Sequence, residues 1–483
     1  MTNPIDFTPR KGRSSRGLMR FHVKRGLFAA AAVVSLAACQ NDLTLPNYNS
    51  PTVEGLSGDP AGLQLAATGI LVSERNNYVG YIRDVSLFGR EGYYYFQTDA
   101  RYVTDYLVGA GTGTNRAISS TGFASGNWFG FFRNERNALY LANAADASTL
   151  SAQQKAAARG FANTFRALDM YYVITERDTL GTPVDIPLDP GNQPPFVSRD
   201  SVYRTISSLL ESAKTDLTAA GSAAFPFTLH EGFAGFDTPA TFLTFNRAIA
   251  ARVLNVRGSL ECGNACYTQA LTAVGESFAT APGAAGSLAA LNLGVYNVYS
   301  TAPGDALNSL NFTQDANQLA HASIVTDAQK QLDGTTLDAR VIRKVVSLPT
   351  PVNSPANRGI PAIYRFSIYS SNTAPTPIIR NEELLLIRAE ANLKLGSIPA
   401  ALVDINNVRA VSGGLGPIAT PTIDALIYER RASLLLEGFR WIDARRFGKL
   451  ATLPLDLPTH FVAKVVPIPK AECDARVTPP NGC

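Results

Sequence analysis

Cys39 stands directly after Leu36-Ala37-Ala38, and a run ending in small residues before a cysteine resembles a lipobox, where cleavage exposes a thiol for acylation. A second group of residues has the chemistry of ligand contact. Tyr93, Tyr94 and Tyr95 are consecutive; Tyr296 and Tyr299 flank Asn297 in a polar stretch with Asn292, and Tyr364 and Tyr369 follow. Sugars present apolar C–H faces and many hydroxyls, so their recognition needs aromatic rings for stacking and amide, carboxylate or guanidinium groups for hydrogen bonds. The expected contacts are therefore Tyr93, Tyr94, Tyr95, Tyr296, Tyr299 and Asn297. Catalytic spacing is missing: the chain has no H-E-x-x-H and no G-x-S-x-G. The G-x-G-x-G within Gly109 to Gly126 has neither a leading apolar strand nor a following P-loop lysine.

The five cysteines divide as one plus four. With Cys39 lipidated, Cys262, Cys266, Cys473 and Cys483 remain, an even set that in an exported chain points to disulfides with three connectivities, local pairing being the simplest. A metal site at C-x-x-x-C is disfavoured, because none of the four histidines, His22, His230, His321 and His460, lies near it in sequence. No cofactor motif is present.

These residues need a framework, and the sequence supplies a leader followed by helices. Seven basic residues between Arg10 and Arg25 precede an apolar run from Leu27 to Ala38. Twelve residues rise only about 18 Å as helix, too little for a hydrocarbon core of about 30 Å, so the run reads as a secretory h-region rather than a membrane span. The leader begins at Met1 or Met19. Gln40 in place of Asp allows sorting to the outer membrane. The whole chain has 43 basic and 39 acidic residues, but without residues 1–38 the balance is 36 to 38, a net of −2. The electrostatic footprint of a nucleic-acid binder is absent.

Asn41 to Gly58 is a polar, Pro-punctuated tether. Helical spacing then predicts pairs at Asp59 to Asn76 with Tyr78 to Gly89, at Trp128 to Asp146 with Ser151 to Ile174, and at Ser198 to Ala220 with Pro239 to Ser259. Trp128 is expected in the core, and Tyr267 to Phe278 adds a helix. Ala281 to Thr376 lacks helical periodicity and contains strand-like runs at Val341 to Ser347 and Ile363 to Tyr369. From Leu384 to Leu395 and Ala401 to Val408 a small-residue helical hairpin follows, similar to a tetratricopeptide unit. A further helix starts after Pro421-Thr422, with dense charge among large apolar residues. The fold class is mainly α: a tetratricopeptide-like array of about four helix pairs, with long inserted loops and a few short strands.

The C-terminal motifs resemble those of the SusD/RagB family, nutrient-binding lipoproteins of the outer membrane. Arg380, Glu383, Leu385, Leu386, Ala389, Glu390 and Ala391 match R-x-x-E-x-L-L-x-x-A-E-A; Asn406 or Asn407, Val408 and Arg409 match N-x-V-R. Glu429, Arg430, Arg431, Leu434, Glu437, Gly438, Arg440, Asp443, Arg446 and Gly448 match E-R-R-x-E-L-x-x-E-G-x-R-x-x-D-x-x-R-x-G, with Ser433 where the family usually carries Glu. Arg166-Ala167-Leu168, Tyr171-Tyr172 and Gly181-x-Pro183 resemble another family stretch. Burial of so many charges requires partners, so they are expected to hold helices together.

The resemblance implies residues 1–38 as lipoprotein signal peptide, 39–58 as lipidated tether, 59–280 and 380–483 as the two helical parts of one SusD-like domain, and 281–379 as a loop-rich insertion. It also implies a protein without catalytic activity, lipid-anchored on the outer membrane and facing the outside. Such a protein delivers a glycan, oligosaccharide or peptide to a SusC-like, TonB-dependent transporter as its lid. The rival expectations are a surface glycan hydrolase, which needs a close acid/base pair in a cleft, and a helical-repeat scaffold, which needs no ligand surface.

Overall fold

The computed structural model describes residues 59–483 except 126, 190, 304, 357 and 358. Cys39, the leader and the tether lie outside the described residues. Helix α1, Pro60–Phe88, starts where Asp59 accepts the Ala61 N–H at 2.9 Å and Pro60 presets the first turn. It is one 29-residue helix, not the expected two. Asn76-Asn77 reads locally as a break, but Glu74, Arg75, Tyr78, Tyr81 and Ile82 around it are all buried, and packing overrides weak propensity.

Helices α2 (Phe129–Ala147), α3 (Ala152–Arg177), α4 (Arg199–Ala220), α5 (Pro239–Arg257) and α6 (Gly263–Glu276) follow, each packed on the one before. Their starts are encoded locally. Ser151 with Gln154 and Thr238 with Thr241 form reciprocal capping boxes, and Ser198 caps α4. Gly160 lets α3 and α4 close up, since a Cβ there would stand 2.6 Å from Leu217 Cγ. Farther on, α7 (Asn381–Lys394) packs on α6 and pairs with α8 (Ile398–Val408). Helix α9 (Ile423–Ser433) and the short α10 (Arg440–Arg446), which returns to α1, come next, before a final helical turn at Lys470–Asp474.

Among the described residues, six strands lie between or beside these helices: β1 (Gly92–Tyr94), β2 (Gly294–Asn297), β3 (Gln318–Ala320), β4 (Val345–Val352), β5 (Ala362–Phe366) and β6 (Thr376–Arg380). One antiparallel sheet has the order β1-β3-β5-β4, with Tyr93 opposite Leu319 and Leu319 opposite Arg365; β2 and β6 form the other. Of the expected run Val341 to Ser347, only the part from Val345 is strand. The preceding Ala339–Lys344 is helical because Asp338 caps it, accepting the Arg340 N–H at 2.9 Å.

A large core joins α1 to α6, both sheets and α10, while Leu385, Leu386, Ala389, Ile405, Val408 and Leu426 centre a smaller one. Between the C-terminal helices the motif charges meet as ion pairs. Arg380 binds Glu437 at 2.7 Å and also Glu382; Arg409 and Arg340 share Glu429 at 2.5 and 2.6 Å; Arg430 and Arg446 share Asp443 at 2.7 and 2.8 Å. Arg446 reaches Glu390 as well, and Arg252 of α5 binds Glu383 at 2.6 Å. Ser433 fits into this lattice: its hydroxyl donates to Glu382 Oε1 at 2.6 Å and accepts from Arg340 Nη1 at 3.0 Å. A neutral bridge thus occupies the place where the motif usually carries a carboxylate. The disulfides are Cys262–Cys266 and Cys473–Cys483, with Cα separations of 5.6 and 5.7 Å.

Candidate functional site

The consecutive tyrosines on and just after β1 part company because side chains alternate along an extended chain. Tyr93 and Tyr95 point one way and stack on each other with centroids 5.0 Å apart; Tyr93 also lies against the His321 ring, and the Tyr95 hydroxyl donates to Ile360 O at 3.0 Å. Both are buried. Tyr94 faces the other way and forms the floor of an aromatic surface patch. Its ring meets Tyr102 at 4.7 Å and Arg83 at 5.4 Å, and its hydroxyl donates to Asp315 Oδ2 at 2.7 Å.

Tyr102 sits on the helical turn Arg101–Val103 and stacks on Phe123 with centroids 4.4 Å apart and planes only 11° from parallel. Phe96 meets the Tyr102 edge at 5.6 Å and is 38% exposed. The loop carrying Phe123 is positioned by Asp105, whose Oδ2 accepts the Phe123 N–H at 3.2 Å. Arg101 lies 4.6 Å over the Phe123 ring and pairs with Asp99 at 2.6 Å. Hydrogen bonds from Arg101 hold the Asp99 acid below its ordinary range, so it stays an ionised acceptor. Asp315 also accepts from Asn317 Nδ2 at 2.7 Å, and Gln97 donates to Asn353 O at 3.1 Å. Rings, carboxylates, amides and a guanidinium are therefore side by side at a surface.

The second expected group lies in a different place. Tyr296, Asn297 and Tyr299 belong to the seam where β2 meets β6 and α1. Asn297 is wholly buried beside Glu74; the Tyr299 hydroxyl is 3.0 Å from Thr376 Oγ1 with Arg75 over its ring; Tyr296 is half-buried and donates to Asn292 O. Of the six expected contacts, Tyr94 alone is tied to the patch. Phe96 and Tyr102 were within reach of sequence reasoning, as they extend the run of rings from Tyr93. Phe123 was not, because only the fold brings residue 123 onto residue 102.

One other constellation bears on hydrolysis. Ser323 Oγ is 2.9 Å from His321 Nδ1, and His321 Nε2 is 3.2 Å from Asp456 Oδ1. The Ser323 hydroxyl is buried and accepts from Arg431 Nη2 at 2.9 Å, while the Ser323 N–H also occupies His321 Nδ1 at 3.0 Å. That arrangement ties a loop together, with the serine oxygen engaged by both His321 and Arg431. Among the described residues, no cluster of three or more His, Cys, Asp or Glu side chains is placed to hold a metal ion. Among the same residues, no helix is long and apolar enough to cross a membrane.

Residues 291–475 match the family model described as the SusD family. A SusD superfamily protein from Bacteroides vulgatus ATCC 8482 superposes with a TM-score of 0.62 at 16% identity, over 88% of this chain and 99% of that one. NanU of B. fragilis gives 0.60 at 14% identity, over 88% and 96%. A laminarin-binding SusD-like protein gives 0.53 at 16% identity, over 88% and 100%. No curated protein matches the sequence. The helical array with short inserted strands is shared over nearly the full length of these structures, so the chain has the fold of the SusD-like proteins, and its residues 291–475, which hold the C-terminal motifs, match the SusD family.

Proposed function

We propose that the protein is a non-catalytic glycan-binding protein of the outer membrane, and that Phe96, Tyr102 and Phe123 over Tyr94 form its stacking surface. The observation that carries this reading is the patch itself: three partly accessible rings bordered by Asp99, Arg101 and Asp315 match the alternation of apolar faces and hydroxyls on a sugar. The laminarin-binding protein of like fold supports the same ligand class. Cys39 is the lipid anchor in this reading, residues 39–58 are the tether, and a SusC-like, TonB-dependent transporter is the partner that receives the glycan. Three acyl chains anchor far more firmly than one.

One experiment tests both halves of the proposal. Tagged protein is extracted gently from its native membrane, the co-purifying proteins are identified, and the extract is applied to immobilised glycans with and without Tyr102→Ala. The expected result is a β-barrel partner in both extracts and glycan retention in the unsubstituted protein alone, the substitution weakening binding about tenfold, as loss of one stacking ring does. Retention unchanged by Tyr102→Ala removes the patch from the account. Recovery without any barrel, even after cross-linking, removes the lid.

A further inference from the structure

A second cleft, of about 310 Å³, opens where the start of α2 meets the loop before α4 and the C-terminal turn Lys470–Asp474. Its volume is at the lower end of what ligand pockets hold, about 300–1,000 Å³. Phe129 provides one wall and is 51% exposed, whereas its neighbour Trp128 is buried, stacked on Phe196 and edge-on to Phe132. An aromatic face that large, left open beside a well-packed Trp, is available for stacking.

The charges around it are unbalanced. Glu472 is already committed, accepting from Trp128 Nε1 at 3.3 Å and from Arg476 Nε at 2.8 Å, and Arg476 also donates to Pro194 O at 2.7 Å. Arg136 uses only its Nε, donating to Pro187 O at 2.9 Å. Arg133 is exposed and takes part in no hydrogen bond or ion pair among the described residues, and the side chains of Asn192 and Gln193 are likewise uncommitted. Two guanidinium groups with free N–H donors, two amides and an open ring thus line one cleft whose single carboxylate is neutralised. Guanidinium forks bind carboxylates bidentately, amides serve hydroxyls, and a phenyl face takes a pyranose C–H face.

We infer that this cleft is a second saccharide subsite, distinct from the patch at Tyr102, which takes a uronic-acid residue: Phe129 stacks on the ring, Arg133 and Arg136 hold the carboxylate, and Asn192 and Gln193 bind hydroxyls. A neutral glycan leaves both guanidinium groups without a partner there, so the cleft discriminates by charge where the patch does not.

The test is calorimetric titration of the whole protein with tetragalacturonate and with its methyl ester, which keeps the rings and removes the charge. The acid is expected to bind about tenfold more tightly than the ester at low ionic strength, with most of that advantage lost at about 0.5 M salt, where exposed charges are screened. Arg133→Gln should abolish the preference, Phe129→Ala should weaken both ligands, and Tyr102→Ala should leave the preference intact. In the unsubstituted protein, tetragalacturonate should also protect Arg133 from modification by phenylglyoxal. Equal binding of acid and ester, no binding of either, or a preference that survives Arg133→Gln overturns the inference. A preference lost in Tyr102→Ala moves the carboxylate to the other patch and overturns it too. Stronger competition by a peptide ending in Pro-Phe than by the acid reassigns the cleft to peptide termini. Phe129 and Arg133 are both exposed, so their replacement tests binding without disturbing the core.

Discussion

Glu382, between the C-terminal helices, and Glu74, between the N-terminal ones, are equally buried, yet the first acid is held down to about 2 and the second is pushed up to about 8. Burial raises both, since a carboxylate leaves water at a cost. Around Glu382 that effect is outweighed by Arg380 and Lys344 and by hydrogen bonds from Arg380 and Ser433. Around Glu74 it prevails over Asn297, Arg252, Tyr172 and Arg75. Glu135 is likewise pushed up to about 8 by burial, and Asp169 well above the carboxylate range by burial and by the nearby Glu135 and Glu74. At these positions the chain buries an acid in two ways, holding Glu382 ionised beside Arg380 and keeping the proton on Glu74, Glu135 and Asp169. Where a carboxylate has its own guanidinium it ties two segments together; where several share one dry interior, burial keeps them neutral.

The contrast is broken most severely at Arg380. Arg380→Met leaves Glu382 and Glu437 buried without their main partner, and is expected to cost about 3–5 kcal/mol in denaturant unfolding. A loss below about 1 kcal/mol would mean that the lattice behaves like exposed ion pairs. The next effect concerns pH. Between about 4.5 and 8 the unfolded chain has released the Glu74 proton and the folded chain still holds it, so stability falls as pH rises, by about 1.4 kcal/mol per pH unit for each such group. Glu382 has the opposite sign: its contribution is complete above about 4.5 and is lost as pH falls toward about 2. Glu74→Gln should therefore flatten the decline of stability between pH 5 and 8 and leave the acid limb in place. Urea melts across that range that keep the original slope would show that Glu74 is ionised in the folded protein. The smallest effect is at Ser433. Ser433→Ala removes one hydrogen bond from Glu382 and one acceptor from Arg340, an expected cost of about 1–3 kcal/mol, with an upward shift of the Glu382 acid measurable by carboxyl-carbon NMR. An unshifted Glu382 would assign its low acid range to Arg380 and Lys344 alone.

Much of the helical framework was legible because its signals are local. Ser151, Ser198 and Thr238 announce helix starts by type and spacing, and the observed caps are those side chains. The strands were harder. β6 is buried at every position and β1 is only three residues long, so neither shows the alternation by which a strand is recognised. The site was legible in kind more than in position. Residue composition pointed to aromatic contacts, but Tyr93, Tyr94 and Tyr95 look equivalent in sequence, and only the direction of β1 sends Tyr94 to the surface patch and its neighbours into the core. The Tyr102–Phe123 stack depends on a loop held by Asp105, a contact for which the chain carries no periodic signal.

Helix α10 lies against α1: Trp441 packs on Phe88 with centroids 5.1 Å apart, and Arg440 Nη1 donates to Arg90 O at 2.7 Å, across 350 positions of sequence. The entropy of closing so long a span exceeds that of a short one only logarithmically, so distance along the chain is no obstacle to the final structure. Its effect is on the order of events. Along the chain α1 is the first described helix and α10 comes near the end, so until α10 docks the Phe88 end of α1 is covered by Tyr106 but not by Trp441. The long-range seam therefore makes the first described helix wait for the distant α10, and with it the β1 strand on which the aromatic patch is built.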